Sequence, residues 1–221
     1  LPGVDGLQFP TLRLLPISDL LRPMPDSEQH AAVPAGDDDP AGDDRPSPAS
    51  PENLVLTGFM GTGKTTVGRL LAERLNREFV DTDSLIVSRF GEIAEIFVHG
   101  GEARFREIER IVADDLAHRR NLVISTGGGM LLDSQVAALF ASSGRIFCLC
   151  AEPDTICERV LGDPAGHLRP LLAGDDPEGR VRQLMAERAE RYAAFEQVHT
   201  DDLGVDAIAV KILARFRSAS A

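Results

Sequence analysis

From Asn53 onward the chain alternates between two textures. Short apolar runs at Asn53–Thr57, Glu78–Val80, Leu122–Ser125 and Arg145–Cys150 are consistent with buried strands. Between them the spacing turns helical. Over Thr65–Asn76, the residues Val67, Leu70, Leu71 and Leu75 fall on one stripe. Glu102–Arg119 carries Phe105, Ile108, Val112 and Leu116 on one face, and a shorter helix is predicted at Ser84–Phe90. Helical patterns return at 153–161, 178–196 and 205–217, with a Gly-, Pro- and Asp-rich loop at Gly162–Asp176 between two of them. Strands that alternate with helices predict an α/β domain, its parallel sheet covered on both faces.

Upstream of Asn53 this pattern is missing, and composition explains why. Of the 14 Pro, 10 lie in residues 1–52, together with 10 acids and three bases. More than half of the net charge of -12 therefore belongs to this segment. Residues 25–52, with Asp37-Asp38-Asp39-Pro40, cannot bury enough apolar surface to offset ordering entropy, so disorder is expected there. Phe9–Leu21 has room for one docking turn. The first residues lack the basic start of a leader, and their apolar stretch is broken by Arg13, Pro16 and Asp19. The expected organisation is a disordered, acidic, Pro-rich extension over 1–52 followed by a folded domain over 53–221.

The acidic balance argues against nucleic acid as a partner, since such binders need basic surface to displace counterions. No apolar run approaches the ~20 residues that span a bilayer, so no membrane partner is expected. Cys148, Cys150 and Cys157 fit neither a disulfide framework nor a zinc pattern, and buried thiols in a reducing compartment are expected. The five His show no paired ligand spacing. Only two lysines occur, Lys64 and Lys211, against 21 arginines.

One of those lysines sits in Gly58-Phe59-Met60-Gly61-Thr62-Gly63-Lys64-Thr65, which fits G-x-x-x-x-G-K-[ST] between a strand and a helix. Glycines let successive backbone N–H groups turn inward on a phosphate chain, and the helix N-terminus adds partial positive charge. Lys64 supplies a point charge to the β- and γ-phosphates, and Thr65 a hydroxyl to Mg²⁺. A guanine-reading Asn-Lys-x-Asp is excluded, because Lys211 stands between Val210 and Ile212. The strands Leu122–Ser125 and Arg145–Cys150 run into Thr-Gly and Ala-Glu-Pro rather than the acid pair of motor ATPases. Small-molecule kinases remain.

Six motifs then occur in order. They are Gly58–Gly68, Phe79-Val80-Asp81-Thr82-Asp83, Gly101-Glu102-x-x-Phe105-Arg106-x-x-Glu109, Ser125–Gly129, Arg169-Pro170-Leu171-Leu172 and Met185–Arg188. As a set they closely resemble shikimate kinase over about residues 53–217. The resemblance implies that Gly61, Thr62, Gly63, Lys64, Thr65 and Thr66 bind ATP. It makes Asp83 both a ligand of the substrate's ring hydroxyls and the candidate base. It has Asp81 reach Mg²⁺ through water, beside Thr65. It pairs Arg106 and Arg188 on the substrate carboxylate, and lays the substrate against Gly128 and Gly129. Arg169 would act on the ATP phosphates from a lid at 162–176, so the catalytic set is Lys64, Asp83 and Arg169. Elementary chemistry agrees: two guanidiniums make charge-assisted contacts to one carboxylate, and Glu109, three residues after Arg106, can hold it in place. For Asp83 a role as N-cap of the following helix is the simpler reading, and both can hold.

The resemblance also implies a three-layer α/β/α P-loop kinase fold with a five-stranded parallel sheet, order 2-3-1-4-5. Its fifth strand, near Val198–Thr200, is weak by periodicity alone. The implied reaction is ATP-dependent phosphorylation of the shikimate 3-hydroxyl by a cytoplasmic monomer. The alternatives are a kinase of another hydroxy acid such as gluconate, and an inactive nucleotide-binding module. Two local departures from the family stand out. The Gly91-Glu92-Ile93 turn is short, and no basic residue follows the last strand at Leu203-Gly204-Val205.

Overall fold

The computed structural model describes residues 52–162 and 176–218. The expectations for residues 1–51, the body of the 162–176 loop and Arg169 lie outside the described residues. Five strands form one sheet: β1 (Asn53–Gly58), β2 (Glu78–Asp81), β3 (Leu122–Ser125), β4 (Gly144–Cys150) and β5 (Glu196–His199). Their order is β2-β3-β1-β4-β5, and every neighbouring pair is parallel. The helices are α1 (Lys64–Leu75), α2 (Thr82–Phe90), α3 (Ile93–His118), α4 (Ser134–Ser143), α5 (Pro153–Leu161), α6 (Pro177–Ala193) and α7 (Val205–Ser218).

Strand alternation sorts these helices into two layers. Leu54 and Leu56 of β1, with Phe147 and Leu149 of β4, face Leu71 of α1 and Ile212 and Phe216 of α7. Val55, Ile124 and Ile146 point the other way, onto Ile86, Val112 and Phe140 of α2, α3 and α4. On that same face Cys148 packs with Ile156 of α5 and Val181 and Leu184 of α6. Phe140 and Phe147 are fully buried. Truncating such a side chain to Ala costs about 3–5 kcal/mol, a large part of the ~5–15 kcal/mol that holds a typical domain together. Buried Asn53 ties the layers at one end: its Nδ2 donates to Arg119 O at 2.9 Å and its Oδ1 accepts from Leu122 N at 3.0 Å.

The boundaries differ from the pattern reading in four places. The helix expected over 178–196 ends at Ala193, and Glu196 already belongs to β5. Beyond the last turn, Gln197 Nε2 donates to Tyr192 O and Phe195 O, which fastens the end of the helix to β5. Helix α2 begins at Thr82, and its N-cap is Asp81, whose Oδ1 accepts from Ser84 N at 3.2 Å. Asp83 lies inside the first turn, so the N-cap reading of Asp83 is wrong. Helix α3 extends back to Ile93 across a kink at Gly101 (φ 66°), where the Gly100-Gly101 pair had masked the Ile93, Ile96, Phe97 spacing. Helix α4, rich in Ala and Ser, went unread because only Val136 and Phe140 mark its buried face with large apolar groups.

Candidate active site

The carboxyl ends of β1, β2 and β3 lie side by side, and the chain leaves each of them into a predicted motif. After β1, Gly61 and Gly63 adopt left-handed backbone (φ 78° and 89°), which curls the loop into the start of α1. Gly63 is the N-cap of α1, with no side-chain cap, and the first turn holds no acid. A helix start with no acid and no side-chain cap suits an anion, because the helix end carries partial positive charge. Thr62 fixes the loop from within by donating to Phe59 O at 2.8 Å. Lys64 Nζ donates to Gly58 O and Phe59 O at 2.9 and 2.8 Å, which holds the ammonium along the loop.

Thr65 and Asp81 meet across the strand ends: Thr65 Oγ1 donates to Asp81 Oδ2 at 2.9 Å. A hydroxyl and a carboxylate beside a phosphate cradle are the hard oxygen donors that Mg²⁺ takes, so the residues present fit the metal. No cluster of three or more His, Cys, Asp or Glu side chains able to hold a metal occurs among the described residues. Mg²⁺ here would complete its shell with phosphate and water oxygens. Thr66, on the next position of α1, is exposed.

The glycine run after β3 is the hub of the site. A Cβ on Gly127 would lie 2.5 Å from Asp83 Oδ1, and one on Gly129 would lie 3.0 Å from Arg106 Nη1. Gly128 lies against the P-loop backbone, its Cβ position 3.6 Å from both Gly58 O and Met60 N. Arg188 Nη1 approaches Gly128 O at 3.4 Å, and its guanidinium covers the Phe59 ring at 5.5 Å. Every described residue predicted to touch the substrate thus borders these three glycines. Asp83 opens to the cleft, yet the walls around it withdraw enough water to raise its pKa. Asp81 raises it further, and Lys64 opposes.

Arg106 is gripped from its own helix. Its Nη1 meets Glu109 Oε2 at 2.6 Å, and its Nη2 meets Glu102 Oε1 at 3.0 Å. Burial lowers the Arg106 pKa, but Glu109 and Glu102 outweigh it and the net direction is up. Glu109 is itself buried, and desolvation pushes its pKa up to about 7 against the pull of Arg106. A folded-state pKa above the unfolded 4.5 means the native state binds more protons between those values, so stability falls as pH rises from about 4.5 to about 7. The loss is at most about 3 kcal/mol. Glu109→Gln lacks this titration. Its melting temperature relative to the wild type is expected to rise between pH 5 and pH 8, and a pH-independent difference would contradict the assignment.

Comparison with known proteins decides the family. A family model described as shikimate kinase matches residues 60–217. The chain belongs to the shikimate kinase family. The shikimate kinase of Pelotomaculum thermopropionicum is 44% identical over 157 residues, which are 70% of this chain and 90% of the relative. That of Symbiobacterium thermophilum is 43% identical over 168 residues, 75% of this chain and 96% of the relative. Among solved structures, a shikimate kinase from Acinetobacter baumannii in complex with shikimate superposes with a TM-score of 0.71 at 34% identity, over 76% of this chain and 94% of that one. A gluconokinase from Sinorhizobium meliloti, at 19% identity and a TM-score of 0.53, shares the fold.

Two residues beside this candidate site were not legible in the sequence. The sequence offered no cation after the last strand, but one reaches there from α5. Arg159 Nη1 and Nη2 donate to Thr200 Oγ1 and Thr200 O at 3.2 and 3.1 Å, and Nη1 lies 3.4 Å from Gly61 O. With Gly61, Gly63, Leu203 and Val205 it lines a cleft of about 250 Å³ beside the P-loop. Phe59, buried beneath Arg188, is the other. Its position inside the P-loop motif hid its contact with α6. Cys148, Cys150 and Cys157 are free thiols; Cys148 and Cys157 are buried as expected, whereas Cys150 is half-buried.

Proposed function

We infer that this chain transfers the γ-phosphoryl group of ATP to the 3-hydroxyl of shikimate, giving shikimate 3-phosphate and ADP. The observation that carries this reading is the Gly127–Gly129 run, which borders the P-loop on one side and Asp83, Arg106 and Arg188 on the other. A ring laid on glycines brings its hydroxyls to Asp83 and its carboxylate to the two arginines. The P-loop N–H groups and Lys64 hold the triphosphate, while Thr66 and Arg159 border the cleft offered to the adenine ring of ATP. Thr65 and Asp81 would hold Mg²⁺, which when bound neutralises charge on the β- and γ-phosphates. Asp83 accepts the proton of the attacking hydroxyl. Arg169 is assigned to the ATP phosphates from the sequence alone. Catalysis is then mainly positioning and charge stabilisation.

The catalytic unit is assigned to residues 53–221, acting as a monomer in the cytoplasm. The three cysteines are free thiols, which suits a reducing compartment. No described helix is long and apolar enough to cross a membrane. A coupled ADP-release assay with shikimate, gluconate or no acceptor tests the reading. Turnover with shikimate alone is expected. Preference for gluconate, or equal rates without an acceptor, would overturn it.

Arg106→Ala tests the carboxylate grip. Losing one charge-assisted pair is expected to raise KM for shikimate about 10- to 100-fold, with KM for ATP unchanged. An unchanged KM for shikimate would remove Arg106 from the site.

A further inference from the structure

Three consecutive glycines leave residues 127–129 little intrinsic restraint, because glycine ranges over backbone conformations closed to other residues. A peptide plane there can turn unless its carbonyl is held. At Gly128 two groups from α6 hold it. The Tyr192 hydroxyl donates to Gly128 O, and Arg188 Nη1 approaches the same oxygen at 3.4 Å. Residues 188 and 192 are one turn apart on α6, so their side chains meet on one face and converge on this one oxygen.

Tyr192 is itself firmly seated. It is buried among Phe59, Val181 and Leu184, and Gln197 Nε2 holds its backbone carbonyl at 2.6 Å. Burial, opposed by Arg188, pushes its pKa up to about 12, so the hydroxyl keeps its proton at neutral pH. This hydroxyl has no part in the chemistry described above.

We propose that Tyr192 is a positioning residue for substrate capture: its O–H locks the Gly128–Gly129 peptide plane and leaves the Arg188 guanidinium available to the substrate carboxylate. The proposal rests on the reading of Gly127–Gly129 as the floor of the shikimate site. A planar trans peptide fixes the Gly129 N–H antiparallel to the Gly128 carbonyl, so one hydrogen bond sets both groups. Without the phenol, the Gly128 carbonyl loses its nearest donor. Arg188, already 3.4 Å away, is the group placed to replace it, and is then drawn from the substrate.

Tyr192→Phe in the full chain removes only the hydroxyl and keeps the buried ring. KM for shikimate is expected to rise about tenfold at saturating ATP, with KM for ATP within about twofold and a melting temperature within a few degrees of wild type. An unchanged KM for shikimate overturns the proposal, and so does a parallel rise in both KM values with early melting, which marks a merely structural role. Placing 4-aminophenylalanine at 192 restores a donor on the same ring. Recovery of KM supports the proposal and no recovery overturns it. A wild-type chain that does not turn over shikimate overturns the functional reading itself, which separates the two failures.

Discussion

Lys64→Ala is expected to lower kcat by about 10³-fold or more at saturating ATP and shikimate. The ammonium lies along the P-loop, on Gly58 O and Phe59 O, at the mouth of a helix whose first turn carries no acid. That places a positive charge within the loop that would cradle the β- and γ-phosphates. Removing one preorganised stabiliser of transition-state charge typically costs 10²- to 10³-fold, and a phosphoryl transfer relies on such stabilisation more than on covalent help. Folding should be spared, because Ala is a strong helix former at the first position of α1. The substitution also removes the Lys64 charge that lowers the Asp83 pKa, so the acid limb of the residual activity should move to higher pH than in wild type. Steady-state rates with a thermal melt check this. A folded Lys64→Ala enzyme within tenfold of wild-type kcat would contradict the account.

Asp83→Asn removes the base and keeps the shape. The expected loss in kcat is about 10²- to 10⁴-fold, the usual range for a positioned proton acceptor. ATP affinity should stay within about twofold, because the carboxyl faces the glycine run rather than the P-loop. Asp83 also has a pH signature. A base works only when ionised, and both desolvation and Asp81 raise its pKa, so wild-type kcat/KM should fall on acidification above the ordinary carboxylate range. That limb should vanish in Asp83→Asn. Retained turnover, or an acid limb that survives the substitution, would assign the base elsewhere.

What could be read in the sequence depended on whether a feature was written locally. The P-loop was, since its glycines, lysine and hydroxyl are all fixed within eight consecutive positions, 58–65. Arg106 and Glu109 were also legible, because helical spacing brings i and i+3 together, and their 2.6 Å pair follows from it. The long stripe of α3 from Phe105 to Leu116 was equally plain. Strand order was not: parallel neighbours such as β1 and β3 are distant in sequence, and their order came from resemblance. Arg159 shows why contacts across the sheet stay hidden, for it sits on α5 yet serves the end of β5, 41 residues away. Asp81 and Asp83 show a finer limit. Both follow one strand, and only the backbone reveals that Asp81 caps α2 while Asp83 faces the glycines.

The central claim is that one cleft aims a single hydroxyl of shikimate at the ATP γ-phosphate. Its most direct test is the structure of the product: incubate the full chain with ATP, Mg²⁺ and shikimate, then read the phosphorus-to-proton couplings by NMR. The account predicts one phosphorylated product, with phosphorus coupled to the proton on carbon 3. Phosphate on another hydroxyl, a mixture of positions, or ADP release without a phosphorylated ring would contradict it.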